Sequence, residues 1–166
     1  MDNLPFNYRR VMMEMNRNHV SFLLVGGLNY FLAHKPVSTQ DIDLLIENSA
    51  TNRLACEQAL IALGAEWGKR DEDWEPVKEK RSGWLWGQSV FCLLTTSGPV
   101  DVFLSLPGIP SYSEAMKRSL LHSIEEDLQI NLISAYDLLQ CQLAIPESNR
   151  KIERMRHLRE ILGNEP

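Results

Sequence analysis

Apolar positions along the chain follow two periods. Val11, Met12 and Met15 stand on one side of a helical wheel, which predicts an amphipathic helix over about residues 8–18 with its methionines in the core. Residues 20–25 then form a short run of β-formers, read as a buried strand that Gly26-Gly27 ends. Residues 28–33 have the apolar character of a short helix, stopped by His34-Lys35-Pro36. Residues 41–47 return to period two. Ile42 and Leu44 point one way, so Asp41 and Asp43 project together on the other face.

Further along, Ser49 opens a helix whose stripe of Leu54, Ala55, Leu60, Ile61 and Leu63 runs up to a capping glycine, Gly64. Residues 65–87 are rich in charge and hold the four tryptophans, and they read as exposed strands and loops. Residues 88–95 and 99–105 form two strands of a hairpin around the turn at 96–98. A short helix is expected at 111–118, and paired strands at 119–124 and 129–133. Ser134 then caps a helix that ends before Pro146, with Asp137 at the capping-box position, and a last helix covers about 149–162.

This order predicts an α+β fold: a mixed sheet flanked by helices, with a short helical C-terminus. At 166 residues the chain is the size of one domain, with a sheet core at about 20–133 and closing helices at about 134–162. Its start, Met1 to Pro5, has no basic and apolar signal pattern. No apolar run approaches the roughly 18 residues that span a bilayer, so a cytoplasmic protein without a membrane partner is expected. A formal charge of −5 argues against coating nucleic acid through a general positive field, although Arg150, Lys151, Arg154, Arg156 and Arg159 form a local basic stretch. Cys56, Cys92 and Cys141 are widely spaced in apolar sequence, as buried thiols are.

The acids separate by their surroundings. Asp71/Asp73, Asp73/Glu75 and Glu125/Asp127 stand in polar segments and read as solvated surface. Asp41 and Asp43 sit in an apolar strand, as does Asp101 within Val100-Asp-Val-Phe-Leu104. Carboxylates buried there need a compensating cation. If the two strands are neighbours, three carboxylates converge, and a hard, oxygen-liganded ion such as Mg²⁺ (or Mn²⁺) suits them. Gly26 and Gly27 form a corner where backbone N–H groups can approach phosphate oxygens with no Cβ in the way. Neither a Walker A sequence nor a dinucleotide fingerprint occurs.

Val25-Gly-Gly27, Asp41-Ile-Asp43 and Asp101 together resemble the pattern of the nucleotidyltransferase superfamily, with its polymerase-β-like minimal core. Thr39-Gln-Asp-Ile-Asp-Leu-Leu45 is most similar to the bacterial AbiEii-type group, which includes transferase toxins of toxin–antitoxin pairs. The resemblance implies transfer of a nucleoside monophosphate from an NTP to a hydroxyl on RNA or protein, with a cognate protein partner. Alternatives are a small-molecule acceptor, with Trp84 and Trp86 as pocket walls, or a non-catalytic nucleotide-binding protein of the same fold. It also implies Asp41, Asp43 and Asp101 as metal ligands, with Asp101 taking the hydroxyl proton. Gly26 and Gly27 would contact the phosphates, and Thr39, Arg150 and Lys151 would assist. The chain departs from that group at Val37, where an arginine is usual and Lys35 is the nearby substitute, and at Gln142, where a lysine is usual.

Overall fold

The computed structural model describes residues 4–164, so Met1–Asn3 of the stretch read for a signal lie outside it. Among the described residues, six α-helices and eight strands build or flank the site. Helix α1 (Tyr8–Arg17) is capped by the Asn7 side chain, which accepts from the Arg10 N–H. Strand β1 (Phe22–Val25) runs directly into helix α2 (Gly26–Ala33). Strand β2 (Ile42–Ile46) precedes helix α3 (Ala50–Ala62), whose N-cap is Ser49. After the short strands β3 (Glu66–Trp67) and β4 (Glu75–Pro76) come β5 (Val90–Thr95) and β6 (Gly98–Phe103). Helix α4 (Tyr112–Arg118), strands β7 (Leu120–Glu125) and β8 (Leu128–Leu132), and helices α5 (Ala135–Leu143) and α6 (Ile152–Asn164) complete the chain.

All eight strands form one mixed sheet in the order β4-β3-β5-β6-β2-β1-β8-β7. β1 pairs antiparallel with β2, and β2 pairs parallel with β6. The hairpins β5–β6 and β7–β8 form as their apolar runs and turns predict.

Two apolar clusters cover the sheet. On one face Val11, Met12 and Met15 of α1 and Cys56, Ala59 and Leu60 of α3 pack on Leu24, Ile42, Leu44 and Phe91. On the other, Leu138 and Leu139 of α5 and Met155 and Leu158 of α6 pack on Leu23, Val25 and Leu45. Asn52 joins layers within the first face: its amide accepts from the Ser21 N–H and donates to the carbonyls of Ser21 and Glu47.

Two expectations change. The second cluster stops short of β5, so alternation there leaves Cys92 and Leu94 exposed while Phe91 and Leu93 are buried, and Cys92 is not a core thiol. The last helix begins at Ile152, after a 3₁₀ turn at Glu147–Asn149, and Arg150 before it is extended. The Arg150 guanidinium donates to the carbonyls of Leu143 and Ile145, closing the C-terminal end of α5. Ser134 does cap α5, accepting from the Asp137 N–H at 3.1 Å. Asp137 is buried and paired in two hydrogen bonds with Arg118 of α4.

Candidate active site

One transverse row of the sheet carries the chemistry. Val25 on β1 is in register with Asp43 on β2, Asp43 with Asp101 on β6, and Asp101 with Cys92 on β5. In-register neighbours share a face, so both carboxylates and the Cys92 thiol stand on the side of α5 and α6. Asp41, just before β2, adds the third carboxylate, and one oxygen from each of the three lies within 4.8 Å of the others. Sequence reasoning requires the neighbouring of these strands, and the parallel β2–β6 pairing supplies it.

Crowding sets the protonation of the group. Burial, then the Asp41 and Asp101 charges, push the Asp43 carboxyl up to about 8. Burial and Asp41 also raise Asp101. The Asp43 and Asp101 carboxyls stand close enough to repel if both were charged, which favours keeping a proton on the pair in the metal-free protein. The thiols are poor nucleophiles, since burial pushes Cys56 and Cys141 up to about 12, and burial and Asp101 push Cys92 up to about 11. Three partly buried carboxylates, with no nitrogen or thiolate among them, fit a hard divalent cation such as Mg²⁺ or Mn²⁺.

Beside the triad is the glycine corner. Gly26, with φ +70°, opens α2 in the left-handed region, and a Cβ there would overlap the Asp43 carboxylate. Val25 at the N-cap makes no side-chain capping bond, so the first amides of α2 have no such partner. Thr39 is buried against Gly27, and its hydroxyl donates to the Asp41 carbonyl at 3.4 Å. Gly26, Gly27, Thr39 and the aspartates are therefore gathered at one place.

Arg150 and Lys151 are engaged differently. Arg150 is bound to the end of α5, and the Lys151 N–H donates to Gln142 Oε1 at 2.7 Å. The cation at the corner is Arg154, which the sequence pattern does not single out from its basic neighbours. Its Nη2 lies 3.7 Å from where a Gly27 Cβ would be, and its guanidinium lies 5.1 Å from the Tyr30 ring centroid. Arg154 Nε is buried and has no hydrogen-bond partner. Such a group is costly in the free protein and is placed to receive an anion. Its spacing was the available signal: Arg154, Met155 and Leu158 define the buried side of α6, whereas Arg156 and Arg159 are exposed.

The tryptophans lie elsewhere. Trp84 stacks on Trp67 with ring centroids 5.9 Å apart, and Trp86 is exposed beside the Arg53 guanidinium. The wall next to the triad is apolar and without tryptophan: a cavity of about 370 Å³ with Phe103, Leu106, Leu138 and Ile145 along its sides. No helix among the described residues is long and apolar enough to cross a membrane.

No family model and no curated protein matches the sequence. Solved structures do match its fold. ANT(2″)-Ia in complex with adenylyl-2″-tobramycin superposes with a TM-score of 0.59 at 15% identity, over 94% of this chain and 87% of that one. The lincosamide antibiotic adenylyltransferase LnuA, bound to lincomycin, gives 0.58 at 16% identity over 91% and 93%. A candidate nucleotidyltransferase from Thermotoga maritima gives 0.52 at 14% identity over 95% and 91%. At these identities the likeness is one of fold. The chain has the mixed-sheet fold seen in nucleotidyltransferases.

Proposed function

We propose that the chain is a metal-dependent nucleotidyltransferase that moves a nucleoside monophosphate from an NTP to an acceptor hydroxyl. One observation carries the reading: the in-register pair Asp43 and Asp101, with Asp41, stands beside a glycine corner that holds Arg154, whose buried Nε has no hydrogen-bond partner. Asp41, Asp43 and Asp101 would hold Mg²⁺ or Mn²⁺. When bound, that ion supplies positive charge to the phosphate oxygens and acidifies the attacking hydroxyl.

The chain's own residues do the rest. The amides of Gly26 and Gly27 and the Arg154 guanidinium grip the β- and γ-phosphates, and Thr39 backs the corner. Asp101, in register with Asp43 and next to the open part of the sheet at Cys92, accepts the proton of the acceptor hydroxyl. The acceptor oxygen forms a bond to the α-phosphorus as the bond from that phosphorus to the bridging oxygen breaks. Pyrophosphate leaves with that electron pair.

RNA or protein is the acceptor class that the sequence resemblance implies, with a cognate protein partner in a toxin–antitoxin setting. A small-molecule acceptor has its own support, since the two antibiotic-modifying structures share this fold across most of their length. Incubation of the chain with each α-³²P-NTP, Mg²⁺ and separate panels of RNA, protein and aminoglycoside or lincosamide acceptors tests the reading. Label transfer that disappears in Asp101→Asn is expected. Transfer at the native rate by that variant would overturn the role given to Asp101.

A further inference from the structure

The cavity beside the triad has a composition unlike the rest of the site. Phe103 at the end of β6 and Leu106 after it form one side, and Leu138 and Ile145 from α5 and its following turn form the other. Its polar boundary consists of Gly26, Asp43, Gln142 and Arg154. At about 370 Å³ it lies in the range of roughly 300–1,000 Å³ typical of small-molecule sites, and such sites combine apolar walls with few polar groups.

We infer that this cavity seats the nucleoside of the NTP, with the Gln142 amide hydrogen-bonding an acceptor atom of the base. The inference rests on the proposed triphosphate site. In-line displacement puts the acceptor oxygen and the leaving pyrophosphate on opposite sides of the α-phosphorus. The cavity touches Gly26 and Arg154, which belong to the pyrophosphate end, and neither Asp41 nor Asp101 lines it. An acceptor approaching through it would meet the wrong side of the phosphorus. The uncovered sheet beyond Asp101, where Cys92 and Leu94 are exposed, leaves the other side open. The group that can lie on the pyrophosphate side while still bonded to the α-phosphate is the nucleoside, folded back over its own triphosphate.

Gln142 is the polar group suited to the base. Its Oε1 accepts from the Lys151 N–H at 2.7 Å, which fixes the amide orientation and leaves Nε2 as a donor with no partner among the described residues. A base offers a ring nitrogen or carbonyl to such a donor and two flat faces to the apolar walls, Phe103 among them. A lysine at this position would present a point charge; glutamine presents a directional neutral donor.

Calorimetric titration of the native chain, Ile145→Trp and Gln142→Leu with Mg²⁺ plus ATP, GTP, CTP or UTP, and with Mg²⁺ plus tripolyphosphate, tests the assignment. For the native chain the best NTP is expected to bind at least about tenfold more tightly than tripolyphosphate, the excess coming from the buried base. Ile145→Trp, which fills the cavity, should lower NTP affinity about tenfold and leave tripolyphosphate within about twofold, and Gln142→Leu should cost the best NTP about fivefold. Equal affinity of tripolyphosphate and every NTP for the native chain would overturn the cavity assignment while the phosphate site stands. So would an NTP affinity that neither folded variant changes. If neither NTP nor tripolyphosphate binds the native chain, the phosphate site itself falls and the cavity assignment with it. Circular dichroism confirms that each variant is folded; should Ile145→Trp fail that check, Gln142→Leu decides alone.

Discussion

Replacing Asp43 with asparagine should stabilise the metal-free protein. The carboxyl is held at about 8 by burial and by Asp41 and Asp101, against an ordinary value of 3.8. Below about pH 4 it is protonated in the folded and unfolded chains alike, and the favourable contribution of the folded state is intact. Between about 4 and 8 the unfolded chain loses a proton that the folded chain keeps, so stability falls as pH rises, by about 1.4 kcal/mol per pH unit. The loss is on the order of 1–2 kcal/mol at pH 5 and of several kcal/mol at pH 7, and it levels off once the folded carboxyl also ionises. Asparagine keeps the shape and does not titrate. Asp43→Asn should therefore exceed the native chain in urea stability near pH 7 by an amount on the order of a few kcal/mol, with a smaller gap at pH 5. Urea unfolding followed by circular dichroism at pH 5, 6, 7 and 8 in chelator measures the difference. Millimolar Mg²⁺ should then raise the stability of the native chain and leave the variant unchanged. Parallel pH profiles for the two proteins, or a variant less stable than the native chain throughout, would refute the crowding argument.

Three further substitutions separate binding from folding. Arg154→Met removes a buried guanidinium whose Nε has no partner, so the free protein should be no less stable while NTP affinity falls by about 10–100-fold, read by thermal melting and calorimetry together. Gly26→Ala places a Cβ at φ +70° against the Asp43 carboxylate; a loss of about 1 kcal/mol or more in urea unfolding is expected, with weakened Mg²⁺ stabilisation. Asn52→Ala removes the buried amide that joins α3 to the ends of β1 and β2, and should cost about 2–3 kcal/mol in the same assay with no change in NTP affinity of the folded protein.

The site's skeleton was readable in the chain because burial contradicts charge at its centre. Ile42 and Leu44 force Asp43 into the sheet, and Val100 and Val102 do the same for Asp101, so period two alone places both on defined faces. What it does not determine is which strand neighbours which. The β2–β6 pairing depends on a parallel connection through α3 and the β5 hairpin, a long-range choice with no local signal.

The same limit explains Cys92. The apolar run at 90–95 looks buried on both sides, and only the end of the second helical layer shows that one side is open. Arg150 and Lys151 precede the final helix because the 3₁₀ turn after Pro146 consumes the residues that a helix starting at 149 would use. Their charges were legible, while their engagement with α5 and Gln142 was not. Arg154 shows the complementary case: a cation among cations in the sequence, distinguished by the packing of α6 beside Tyr30 and Gly27.

The central claim is that Asp41, Asp43 and Asp101 form a divalent-metal site that serves a nucleoside triphosphate. Calorimetric titration of NTP with and without Mg²⁺, on the native chain and on Asp41→Asn/Asp43→Asn, tests it most directly. Binding to the native chain that requires Mg²⁺ and is lost in the double variant is the predicted result. Metal-dependent binding that persists undiminished in the double variant would contradict it.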